Sequence, residues 1–115
     1  MNALNPSGIC VTIMAENFEE VVLNSPLPIL LDFWASWCVP CKLMKSGVEK
    51  AAQLLESEAT VGLVNVDEQP DIVERFGVRG TPTFVLLRNG EVLATFSGIT
   101  TAGGLASRVR AAIQG

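Results

Sequence analysis

Apolar positions along the chain alternate between two spacings, and the switches between them mark the elements. Residues 9–14 are rich in β-branched side chains and predict a first strand. Residues 16–23 carry helical spacing, which Asn24-Ser25-Pro26 breaks. Residues 29–34 are apolar on both faces except at Asp32, as expected of a central parallel strand. From Cys38 to about Glu56 the apolar residues Leu43, Met44, Val48, Ala51, Ala52 and Leu55 recur near i, i+4, i+7 and predict a long helix. Gly47 weakens its interior by about 1 kcal/mol relative to Ala without forbidding it. Residues 61–67 predict a third strand, and residues 71–76 a short helix entered after Pro70 and stopped by Gly77. Residues 83–88 and 91–96 are strands flanking Asn89-Gly90, the turn pair whose two positions both need φ > 0. Residues 100–114 close the chain as a helix, poorly started by Gly103-Gly104 but periodic through Leu105, Val109 and Ile113. The order β-α-β-α-β-α-β-β-α predicts an α/β fold. Its central mixed five-stranded sheet is flanked by four helices, parallel where strands and helices alternate and antiparallel at the hairpin.

Composition narrows the function classes. A chain of 115 residues with 49% hydrophobic and 17% charged residues is expected to form one domain, 1–115, around one core. The net charge is −4 and the eight Lys and Arg are scattered, which argues against nucleic acid. No apolar run reaches the roughly 18 residues of a membrane span. The first eight residues have no basic n-region, so no signal peptide is expected. Three cysteines are too few and odd in number for a disulfide scaffold, which points to a reducing, cytoplasmic setting with two of them catalytic. Cys10 reads as a buried strand thiol.

The candidate chemistry lies where the second strand meets the long helix. Pro28 to Trp34 runs into Ala35-Ser36-Trp37, then into Cys38-Val39-Pro40-Cys41. Pro40 suits a first helical turn, where a missing N–H costs little. That places Cys38 at the helix N-terminus, where unpaired N–H groups and the helix dipole favour a thiolate, the nucleophilic form of cysteine. Cys41 lies one turn on and further in, within reach of a disulfide with Cys38. A zinc site is the first alternative, but with no histidine and only Cys10 to add, the ligand set falls short of four, so no metal is expected. A purely structural bridge is the second, and closing so short a loop removes little unfolded-state entropy.

Phe33-Trp34-Ala35-x-Trp37-Cys38-x-Pro40-Cys41-Lys42, followed by Asn65-Val66-Asp67, Phe76-Gly77-Val78-Arg79-Gly80-Thr81-Pro82-Thr83 and Asn89-Gly90, resembles the thioredoxin family from about Ile9 to Ile113. The resemblance implies the thioredoxin fold and reduction of protein disulfides without a cofactor. Cys38 would attack, Cys41 would resolve the mixed disulfide, and the buried Asp32 would take the proton of Cys41. Thr81-Pro82 would be a cis-proline facing the disulfide, its backbone pairing with an extended substrate strand. Trp37, Val39, Pro40, Gly80 and Gly98 would complete that surface, and Trp34 would pack beneath it. Implied partners are disulfide-containing proteins and a thioredoxin reductase or equivalent donor, met by a monomer. Three residues depart from the pattern. Val39 replaces the usual glycine between the cysteines, in a pair that tunes the redox potential. Leu63 replaces a lysine near the buried carboxylate, which should raise the Asp32 pKa further. Ser46 replaces a helix-kinking proline, so the long helix should run straighter. Alternative readings are a specialised exchange or isomerase-like variant, a glutaredoxin-like enzyme, and a redox-inactive binding or chaperone module using the Thr81-Pro82 groove.

Overall fold

The structure, a computed structural model, describes residues 8–115. The first seven residues, which carry most of the expectation about a signal peptide, lie outside that range. Five strands form one sheet: β1 (Val11–Thr12), β2 (Ile29–Trp34), β3 (Thr60–Asn65), β4 (Thr83–Arg88) and β5 (Glu91–Ser97), in the order β1-β3-β2-β4-β5. Strand β3 runs parallel to β1 and β2, whereas β4 is antiparallel to β2 and β5. This is the expected mixed sheet. The hairpin turns on Asn89 and Gly90, with φ of 54° and 80°.

Four helices cover the two faces: α1 (Ala15–Phe18), continued by a π-helical turn over Glu19–Leu23, then α2 (Val39–Leu54), α3 (Pro70–Phe76) and α4 (Ala102–Gln114). Period-two alternation along β2 divides its side chains between two cores. Leu30 packs with Met44, Val48 and Leu55 from the α2 segment and Leu105 and Val109 of α4. Ile29, Leu31 and Phe33 face Phe18, Val21, Val22 and Ile72 on the α1 and α3 side. Asp32 shares the parity of Leu30 and therefore projects into the layer beneath α2.

Several boundaries differ from expectation. The first strand is only Val11–Thr12, at the sheet edge, and Cys10 precedes it as a half-buried rather than buried residue. Strand β3 ends at Asn65: the Val66 N–H still donates to the Trp34 carbonyl at 2.9 Å, and the chain turns from there through Asp67. Helix α2 begins after Cys38 and ends at Leu54, running unbroken through Ser46 and Gly47. The last helix starts at Ala102, and its start is not poor. Thr101 is the N-cap, its side chain accepting from the Gly104 N–H at 2.9 Å, which supplies a partner the two glycines cannot. Gly77 closes α3 with φ of 64°, the left-handed cap a glycine adopts without penalty. Among the described residues, no helix is long and apolar enough to cross a membrane.

Candidate active site

Cys38 and Cys41 form a disulfide, with their Cα atoms 5.3 Å apart. Cys38 is the N-cap of α2, extended at φ −90° and ψ 108°, and its Sγ accepts the Cys41 backbone N–H at 3.2 Å. Pro40 lies in the first turn, where it removes a donor that would have no intrahelical partner. A helix N-terminus that already donates an N–H to Sγ stabilises negative charge on that sulfur once the disulfide opens. Burial does not rank the two cysteines as expected: Cys38 is 4% exposed and Cys41 8%. Their distinction rests on position along the helix, not on depth. Both pack with Ala35, Trp34 and Val66. Trp34 is half-buried instead of fully in the core, while Trp37 and Val39 stand out at 65% and 62% exposure.

Asp32 sits opposite Leu63 on β3 and Phe84 on β4 and is only 7% exposed. Among the described residues no hydrogen bond reaches its carboxyl. Burial penalises the charged form and pushes its pKa up to about 7. Desolvation is the cause, and Leu63, the paired residue on β3, carries no charge. A cavity of about 490 Å³ links the carboxyl to Cys41 and to Trp34, Cys10, Lys45 and Glu49. The same burial, with the charges of Asp32 and then Glu49, pushes the Cys10 thiol up to about 11.

Strand register brings the remaining predicted residues to the same end of the sheet. Phe33 pairs with Thr83, so Thr81-Pro82 stands beside the strand end that leads into Cys38. The Thr81–Pro82 peptide bond is cis. The Gly98 N–H donates to the Pro82 carbonyl at 3.4 Å, and Gly80, Thr81, Pro82 and Gly98 line one groove with Phe76, Arg79 and Ser97. Sequence reasoning gave no role to Asp67, whose Oδ2 accepts the Trp37 Nε1–H at 2.8 Å and fixes the exposed indole. The signal was there, since Asn65-Val66-Asp67 belongs to the motif, but only the fold shows which side chain Asp67 meets. Among the described residues no cluster of side chains is suited to hold a metal ion.

The thioredoxin family model matches residues 9–111. A thioredoxin of Rickettsia bellii is 44% identical over 84 residues, covering 73% of this chain and 80% of its own. One from Haemophilus influenzae is 44% identical over 79 residues, covering 69% and 74%. This chain belongs to the thioredoxin family. A single-site mutant of a thioredoxin from Halobacterium salinarum superposes with a TM-score of 0.81 at 27% identity, covering 91% of both chains. The thioredoxin-family assignment and the disulfide at Cys38-Val39-Pro40-Cys41 together make the protein a thiol–disulfide oxidoreductase with a redox-active disulfide. Its partners, in general terms, are disulfide substrates and a reductase.

Proposed function

We propose that the protein is a cytoplasmic, monomeric protein-disulfide reductase in which Cys38 attacks and Cys41 resolves. The Cys38 thiolate attacks one sulfur of a substrate disulfide, forming the mixed disulfide and expelling the other sulfur as thiolate. Cys41 loses its proton to Asp32 and attacks the Cys38 sulfur, releasing the second substrate thiol and regenerating Cys38–Cys41. Two electrons have then passed to the substrate, and a thioredoxin reductase or equivalent donor returns them. The sparse cysteine content supports the reducing compartment. The observation that carries the assignment of roles is the Cys41 N–H donating to the Cys38 sulfur at the α2 N-terminus.

Asp32 suits proton transfer because an acid with a pKa near the operating pH exchanges its proton readily in both directions. Its cavity reaches Cys41, the thiol that must ionise late in the cycle. Thr81 and Pro82, with Gly80 and Gly98, offer backbone for an extended substrate strand, while Trp37, Val39 and Pro40 supply apolar surface beside the sulfurs. Pairing through backbone explains acceptance of many substrates.

Trapping tests the order of attack. The reduced Cys41→Ser variant, mixed with a disulfide-containing protein, should accumulate a mixed disulfide through Cys38 that mass spectrometry detects. Cys38→Ser should accumulate none. Adducts on Cys41 in the Cys38→Ser variant at comparable yield would reverse the assignment.

A further inference from the structure

The arginines of this chain are, with one exception, tied to a neighbour. Arg75 lies over the Phe18 ring at 4.9 Å and Arg108 over Phe96 at 6.0 Å. Arg88 donates to the Ile113 carbonyl at 3.1 Å, and Arg110 pairs with Glu58 at 2.9 Å. Arg79 alone has no hydrogen bond, ion pair or ring contact among the described residues. It is exposed and lines the groove of about 420 Å³ formed with Gly80, Thr81, Pro82, Ser97 and Gly98, in which it is the only charged residue.

The loop that presents Arg79 is held on both sides. Before it, the Val78 N–H donates to the Val73 carbonyl at 3.2 Å, and Val78 packs against the core. After it, the Thr83 hydroxyl donates to the Gly80 carbonyl at 2.6 Å, and the Pro82 carbonyl is tied to Gly98. The backbone is therefore fixed while the guanidinium is left unsatisfied at the groove. A planar five-donor cation in that position is suited to a carboxylate, which it can meet with two parallel hydrogen bonds.

We infer that Arg79 is a specificity-determining residue that captures an Asp or Glu side chain of the disulfide substrate, within about three residues of the substrate cysteine bound at Cys38. This rests on the groove reading of Thr81-Pro82 and deepens it. Backbone pairing supplies affinity without choosing among sequences. One unpaired cation in this groove, on a chain of net charge −4, supplies a choice. A general repulsion of acidic partners by the whole molecule is screened by salt over about 10 Å at 0.1 M, whereas a close pair is screened less.

The test compares two synthetic disulfide peptides, identical except that one carries glutamates and the other glutamines at the three positions on either side of the reactive cysteine. Reduction is followed as kcat/KM at 0.1 M salt. The glutamate peptide should be preferred about threefold, the scale of one exposed charge pair. Arg79→Gln should abolish the preference, Arg79→Lys should keep part of it, and Arg79→Glu should invert it. Equal rates for the two peptides, or a preference that survives Arg79→Gln, would overturn the inference. If the unsubstituted protein reduces neither peptide, the groove reading itself fails and this assignment falls with it. A positive ratio in a protein that still reduces both peptides leaves the two conclusions separable.

Discussion

Asp32 is a carboxyl that the fold holds near pH 7, far above the ordinary value of 3.8. Between those two values the folded chain keeps a proton that the unfolded chain has lost. Stability therefore falls as pH rises from about 4 to about 7 and levels off above. The full cost is about 4 kcal/mol at one pKa unit per 1.4 kcal/mol. Asp32→Asn should be more stable than the parent at pH 8 by a few kcal/mol and nearly equal to it at pH 4, as denaturant melts at both pH values would read. The same substitution removes the proposed proton acceptor. The rate of mixed-disulfide resolution should rise through pH 7 in the parent, and in Asp32→Asn it should be slower by about 10²-fold and lose that step. Cys10, held up to about 11, should alkylate at pH 7 about a hundredfold more slowly than an exposed thiol, because only the thiolate reacts. Quantitative labelling of the reduced protein would show Cys10 as the last site modified. The burial of Asp32 and the pairing distance of the two cysteines were legible from residue types and spacing alone. Asp67, Arg79 and the Asp32–Cys10 coupling were not, because each depends on a neighbour distant in sequence.

Elements followed from pattern wherever the pattern was long. The span of β2, the hairpin and the glycine stop of α3 read correctly because local chemistry dictates them. Helix α2 begins one residue later than periodicity suggests, since Cys38 caps it from an extended conformation. The first strand shrinks to Val11–Thr12 at the edge of the sheet, where β-branched composition alone does not supply a second ladder partner. Gly62 shows a further constraint that a sequence cannot display. A Cβ there would lie 2.7 Å from Ile13 Cγ1 and 3.2 Å from Leu31 Cδ2. Gly62→Ala is accordingly expected to destabilise the fold by about 1–3 kcal/mol through overpacking, read as a lower denaturation midpoint. Two residues earlier, the Thr60 hydroxyl is buried without a hydrogen-bond partner among the described residues. Thr60→Val keeps the shape and removes that group, and should raise the midpoint by about 1 kcal/mol of stability. A drop in midpoint would mean that the hydroxyl is satisfied after all.

At the scale of the whole molecule, the sheet order β1-β3-β2-β4-β5 explains why the chemistry gathers at one end. The central β2 delivers Cys38 from its C-terminal end, parallel β3 delivers Val66 and Asp67 beside it, and antiparallel β4 begins there with Thr81-Pro82 just before it. Fold class followed from the alternation of strands and helices. The convergence of three distant segments required the register. The central claim is that this convergence makes Cys38–Cys41 a reversible two-electron couple. The most direct test is an equilibrium redox titration in a thiol–disulfide buffer, following the fluorescence of Trp34 and Trp37, both close to the disulfide. A single reversible dithiol–disulfide transition is expected, more reducing than the glutathione couple and lost in both Cys38→Ser and Cys41→Ser. Absence of any reversible transition in the unsubstituted protein would contradict the account.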